Sequence, residues 1–297
     1  MATTNAMPYA DAPLPFAGKL REYYTLTKPE VNLLILMTTS AGFYLGSPSA
    51  FRGLGLVHTL IGTLLVASGT ATLNQYMERA HDAHMRRTAN RPLVSGRLSP
   101  PEALYFGLLL SVAGGIYLWL AVNLLACVLA VSTLLSYLLV YTPLKRKTPL
   151  CTMLGAIPGA MPTLIGWAGS SNGLNGQAWF LFAVLFLWQF PHFLAIALMY
   201  KEDYAQAGYK MLPAFDADGR FTRAEIIGFA IALLIMTSLH FPGRNPVYLL
   251  TMAAGVFFLY YCIKLATSAS RAAAARLVHA SVIYLPLVLT AMMFGKK

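Results

Sequence analysis

Residues 55–76 read GLVHTLIGTLLVASGTATLNQY, and residues 74–93, overlapping its end, read NQYMERAHDAHMRRTANRPL. The first stretch is apolar and long enough to cross a bilayer as a helix. The second is a burst of charge where that helix leaves the membrane. Asn74, Glu78 and Asp82 are spaced by four, so on a helix they climb one face in steps of roughly 6 Å. Arg86, Arg87 and Arg91 follow, and Pro92 is expected to end the helix. Oxygen ligands beside arginines are what a magnesium-bound diphosphate requires. The plainer reading is a solvated helix end in which Glu78 and Asp82 pair with Arg79 and Arg86. Against it stands Asn74, one turn inside the apolar run, where an unsatisfied amide is costly. The spacing therefore predicts a ligand face on an integral-membrane enzyme of diphosphate chemistry.

The rest of the chain agrees with a membrane setting. Apolar residues make up 57% of the 297 residues, charged residues 11%, and the mean hydropathy is +0.60. Soluble domains carry about a quarter charged residues. Nine spans are expected, at 31–47, 55–76, 102–121, 123–141, 152–170, 178–199, 224–241, 247–265 and 277–294. Alternating polar and apolar strands are absent, which excludes a membrane barrel. The expected fold class is all-α, a polytopic membrane protein of about nine helices around a central cavity. Residues 1–18 contain no Lys or Arg and carry Pro8, Pro13 and Pro15, so they read as a flexible tail before a membrane domain at 19–297.

Charge sets the orientation. Of the 22 Lys and Arg, 18 fall in the N-terminal segment and alternate loops, while Arg52, Arg244, Lys296 and Lys297 fall on the other side. The N-terminus and the charged loops are thus expected in the cytoplasm and the C-terminus opposite. All eleven acids, from Asp11 to Glu225, share the basic face, an asymmetry that topology does not require. The net charge of +11 follows from topology and does not point to nucleic acid. The first residues fit neither a signal peptide nor a transit peptide, so the expectation is a bacterial inner membrane. Cys127, Cys151 and Cys262 form no paired motif and read as small packed hydrophobes.

Other loops carry further candidates. Ser99 is a plausible N-cap for the third span, with Pro101 and Glu102 in its first turn. Lys145, Arg146 and Lys147 form a cationic run after span four, a topology signal or a diphosphate contact. Span five holds Gly155, Pro158, Gly159 and Pro162, enough to kink or break it, so it is the expected wall of an internal chamber. Gln189 and His192 lie inside span six beside Pro191. An interhelical hydrogen bond accounts for Gln189, whereas a buried imidazole at His192 can ligate metal or relay a proton. Glu202 and Asp203 form a second acidic group where span six exits, which suggests a duplicated bundle with two opposed diphosphate-binding patches. His81 and His84 receive no role.

Asn74-xxx-Glu78-xxx-Asp82 with Arg86-Arg87-Thr88 and Asn90-Arg91-Pro92-Leu93 resembles the first signature of the UbiA-type membrane prenyltransferases. The 141–149 and 155–167 segments, Leu187 through Phe193 and Tyr200 through Tyr204 resemble the heme-modifying branch of that superfamily. The similarity covers about residues 20–294. Two departures stand out: Glu78 replaces a frequent aspartate, and Tyr200 and Tyr204 occupy the places of two aspartates in the second motif. The latter weakens a second magnesium cluster and counts against the quinone-precursor branch. The resemblance implies Mg²⁺ on Asn74, Glu78 and Asp82, with Asp203 as helper. It implies farnesyl diphosphate neutralised by Arg86, Arg87, Arg91, Lys145 and Lys201, and heme b as acceptor with His192 as a heme contact. A downstream heme A synthase or terminal oxidase is the expected recipient. Rival readings are an aromatic-acid prenyltransferase, a membrane transporter and a non-catalytic heme chaperone.

Overall fold

The computed structural model describes residues 15–48, 51–240 and 246–296. It is 82% helix, with no strand among the described residues. A short helix, α1 (Phe16–Leu26), precedes the first long one, α2 (Pro29–Gly46). Then come α3 (Gly53–Asp82), α4 (Pro100–Ala121) and α5 (Leu124–Leu135). A π-helical turn (Ser136–Tyr141) carries α5 into α6 (Thr142–Leu144), followed by α7 (Cys151–Ser171) and α8 (Gly176–Met199). Short α9 (Lys201–Gln206) and α10 (Leu212–Phe215) lead to α11 (Arg220–His240), α12 (Pro246–Ser268) and α13 (Arg271–Phe294).

Eight segments, counting α5 through α6 as one, are long and apolar enough to cross a membrane. α2 is the ninth long helix expected; Pro29, Glu30 and Asn32 at its start dilute its hydropathy. Residues 1–14 of the expected tail lie outside the described residues, and Phe16 already begins α1. α1 is held at the charged face by a Lys19–Glu102 ion pair and an Arg97–Glu22 pair at 3.0 Å. Glu102 also accepts the Ser99 backbone N–H at 2.9 Å, so Ser99 starts α4 as expected.

α3 is 30 residues long, about 45 Å at 1.5 Å per residue. That exceeds the ~30 Å hydrocarbon core, so one end of α3 projects toward the polar side. The helix stops at Asp82, well before Pro92. This corrects the expected boundary: the Thr88 hydroxyl donates to the Asp82 carbonyl at 2.6 Å and closes the helix end. Arg86, Arg87 and Arg91 therefore sit on turns, where they can fold back over the helix.

α2 and α7 approach at backbone distance. A methyl group on Gly42 would meet the Thr163 carbonyl at 2.2 Å, and one on Gly166 the Thr39 carbonyl at 2.0 Å. Pro158 and Pro162 do not break α7. Gln189 of α8 takes up backbone polarity beside them, donating to the Ala156 carbonyl at 3.0 Å across the space left by Gly159. The turn at Ser136–Tyr141 was not legible in the sequence. Pro143 lacks an N–H and collides with the carbonyl four residues back, and a wider turn ahead of it relieves both.

Candidate functional site at the charged end of an internal chamber

α2, α3, α5 with its π-turn, α7, α8 and α13 enclose a chamber of about 510 Å³. Its deeper wall is apolar, built from residues such as Leu34, Val66, Ile165, Leu185 and Leu285. Gly155, Pro158, Gly159 and Pro162 line it, which matches the expectation for span five. α4, α11 and α12 contribute no lining residue among those described.

Charge is gathered where α3 leaves the bundle. Asn74, Glu78 and Asp82 line the chamber and are 1%, 6% and 1% exposed. Each carboxylate has its own cation: Lys145 Nζ reaches Glu78 Oε1 at 2.9 Å, and Arg91 pairs with Asp82 Oδ2. Asn74 bridges two elements, accepting from Lys28 Nζ at 3.2 Å and donating to the Thr142 hydroxyl at 3.2 Å. Lys28 sits ahead of α2 in a left-handed conformation, φ 51°. Burial, with help from the Arg91 and Lys145 charges, pushes its ammonium down to about 7. Lys145 goes the other way. Burial opposes its charge, yet the Glu78 carboxylate beside it holds its ammonium well above the ordinary range. Its Nζ lies 4.4 Å from the Tyr141 ring centre, 5.9 Å from Tyr137 and 6.0 Å from Tyr209.

The expected residues divide into three groups. Asn74, Glu78, Asp82, Arg87, Arg91, Lys145 and His192 line the chamber. Asp203 stands behind it: its Oδ2 accepts the Arg87 backbone N–H at 3.2 Å, while the Arg87 guanidinium lies over Tyr200 (5.2 Å) and Tyr204 (5.7 Å). Arg86 and Lys201 are exposed and outside the chamber wall. His81 takes a local role, receiving a hydrogen bond from Arg146 at its Nε2 (2.8 Å) with Nδ1 at the Ala207 carbonyl (3.2 Å). Sequence reading missed Lys28, Tyr137, Tyr141 and Tyr209. Lys28 alone carried a signal, a lysine just ahead of a Pro-Glu helix start.

Magnesium prefers a few protein oxygens and completes its shell with water and phosphate. One amide oxygen and two carboxylates on a single helix face fit that habit. Asp82 Oδ1 is buried without a hydrogen-bond partner, an acceptor left open for a cation. No group of three His, Cys, Asp or Glu side chains is assembled among the described residues, because the third oxygen here belongs to an amide.

Residues 35–285 match the UbiA prenyltransferase family, and the chain belongs to that family. Among its relatives, the protoheme IX farnesyltransferase of Solibacter usitatus is 48% identical over 291 residues, covering 93% of this chain and 99% of that protein. The protoheme IX farnesyltransferase of Koribacter versatilis is 43% identical, covering 94% of each. The mitochondrial protoheme IX farnesyltransferase of Arabidopsis thaliana is 35% identical over 93% of this chain and 65% of its own length. Solved structures share the fold. A digeranylgeranylglyceryl phosphate synthase structure superposes with a TM-score of 0.75 at 20% identity, covering 94% of this chain and 98% of that one. A UbiA homologue from Archaeoglobus fulgidus, bound to GPP and Mg²⁺, gives 0.65 at 17% identity over 91% and 99%.

Proposed function

We propose that this protein transfers the farnesyl group of farnesyl diphosphate to a vinyl group of protoheme IX, giving heme O and diphosphate. The observation that carries it is the division of the chamber: an apolar interior closed at one end by Asn74, Glu78, Asp82 and the cations Lys28, Arg87, Arg91 and Lys145. Such a space suits a prenyl tail below and a diphosphate above. The curated relatives, similar along nearly the whole chain, support heme as the acceptor.

Asn74, Glu78 and Asp82 would hold Mg²⁺, which supplies Lewis-acid stabilisation of the leaving diphosphate. Arg91 and Lys145 are already placed at those carboxylates and can turn to phosphate oxygens, with Arg87 at the mouth. They stabilise charge that develops on the bridging oxygen as the farnesyl C1–O bond breaks. The apolar wall keeps water from the allylic cation. The terminal carbon of the heme vinyl group forms the new C–C bond to farnesyl C1, leaving the cation on the vinyl carbon next to the ring. Water adds there and loses a proton, giving the hydroxyethylfarnesyl side chain. His192, on α8 in the chamber wall, contacts the heme. Asp203 supports Arg87 from behind, and Arg86 and Lys201 draw the diphosphate toward the mouth.

The distribution of 18 basic residues on one side against four on the other supports a cytoplasmic mouth and N-terminus and a C-terminus on the opposite side. We place the protein in a bacterial inner membrane, passing its product to a heme A synthase or a terminal oxidase. The test is an assay in detergent with heme b, farnesyl diphosphate and Mg²⁺, with chelator and Glu78→Gln as controls. A magnesium-dependent heme product of farnesyl-adduct mass is expected. Bound heme without any adduct would overturn the reading in favour of a heme chaperone.

A further inference from the structure

One polar group in the chamber wall is tied to a second helix with unusual completeness. His192 of α8 lies in the apolar part of the bundle, flat against Trp188, with ring centres 4.8 Å apart and planes 18° apart. Ser281 of α13 holds both rings. Its backbone carbonyl accepts the Trp188 indole N–H at 2.9 Å, and its hydroxyl meets His192 Nδ1 at 2.6 Å. The same hydroxyl donates its hydrogen to the Val278 carbonyl at 2.6 Å. A serine has one hydroxyl hydrogen, so toward His192 its oxygen can only accept. The Nδ1 of His192 therefore carries the proton. Nε2, at the opposite ring edge, keeps its lone pair and makes no hydrogen bond among the described residues. His192 is one of the residues that line the chamber.

A neutral imidazole with one nitrogen fixed as a donor and the other free is how a histidine is set up to bind a metal. The substrate proposed above contains one. We infer that Ser281 is a positioning residue that locks His192 in the Nδ1–H tautomer, and that His192 Nε2 is the axial ligand of the heme iron. Ligation thus fixes the porphyrin's tilt and its depth in the chamber, which bears on whether a vinyl group meets the prenyl C1. The assignment rests on heme being the acceptor and adds the ligand, its tautomer and the residue that sets both.

The test uses the full-length protein in detergent, reconstituted with ferric heme b and, separately, with metal-free protoporphyrin IX. Optical and electron paramagnetic resonance spectra are recorded beside binding titrations. The wild type is expected to show nitrogen-ligated iron and to bind heme more tightly than the metal-free ring. His192→Ala removes the ligation signature and that preference, and added imidazole restores the signature. Ser281→Ala, nearly isosteric and expected to fold, gives mixed ligation and about 10-fold weaker heme binding. Ser281→Thr, which keeps the hydroxyl, retains the wild-type spectrum. An unchanged spectrum in Ser281→Ala would overturn the positioning role alone, and an unchanged spectrum in His192→Ala would overturn axial ligation. Failure of the wild type to bind either porphyrin would overturn the heme reading itself.

Discussion

The chain leaves the bundle twice through acidic sequence, at the end of α3 and at the end of α8, and the two exits are built differently. At the first, Glu78 and Asp82 are buried, individually paired with Lys145 and Arg91, and exposed to the chamber. At the second, Glu202 and Lys201 are exposed, and Asp203 is occupied by the backbone of Arg87. Acid content alone made them look like opposed halves of one duplicated device. Burial separates them: a carboxylate kept dry beside a cavity is costly unless something there uses it, whereas one at a wet helix end costs almost nothing. The second exit serves the first, since it holds the segment that carries Arg87.

Several substitutions break or sharpen this contrast. Glu78→Gln and Asp82→Asn should each lower turnover by about 100- to 1,000-fold, followed as heme product formed under saturating Mg²⁺. Arg91→Ala strands the Asp82 carboxylate and should cost about 3–5 kcal/mol of stability, read from denaturation in detergent, with Arg91→Lys recovering most of it. Asp203→Asn removes only a support for the Arg87 backbone. It should cost about 1 kcal/mol, seen mainly as a several-fold rise in the KM for farnesyl diphosphate. Lys201→Ala should change kcat/KM by no more than about two-fold. If Asp203→Asn proved as damaging as Glu78→Gln, the exits would be equivalent after all and the second would have to hold a metal of its own.

Much of this was legible in the sequence because it is local. Spans of ~20 apolar residues and the four-residue spacing of Asn74, Glu78 and Asp82 follow from helix geometry alone. The capping of α4 by Ser99 and Glu102 is local in the same way. What was hidden depends on long-range contact. The run Lys145-Arg146-Lys147 does not reveal that only Lys145 turns inward to Glu78, 67 residues away. Nor does it show that Arg146 goes to His81. Tyr137 and Tyr141 were obscured by the π-turn that aims them at Lys145, and Ser281 by the 89 residues that separate it from His192. The early stop of α3 was hidden too, because a threonine six residues on closes it, ahead of the proline that marks a helix end.

The last long helix among those described carries a consequence for how the protein is made. α13 packs against α2, and Lys296 just beyond it donates to the Tyr44 and Ser47 carbonyls at 2.6 and 2.7 Å, at the far end of α2. Val282 and Leu285 of α13 line the chamber, and Ser281 satisfies Trp188 and His192. During synthesis every earlier helix can enter the membrane while this wall is still missing. Until α13 arrives, an indole N–H and an imidazole on α8 have no partner and the chamber lies open on one side. Closure of the ring and completion of the binding space are then one event, reached only once α13 has been made, so a ribosome that stalls before residue 271 leaves a chain that is threaded but empty-handed.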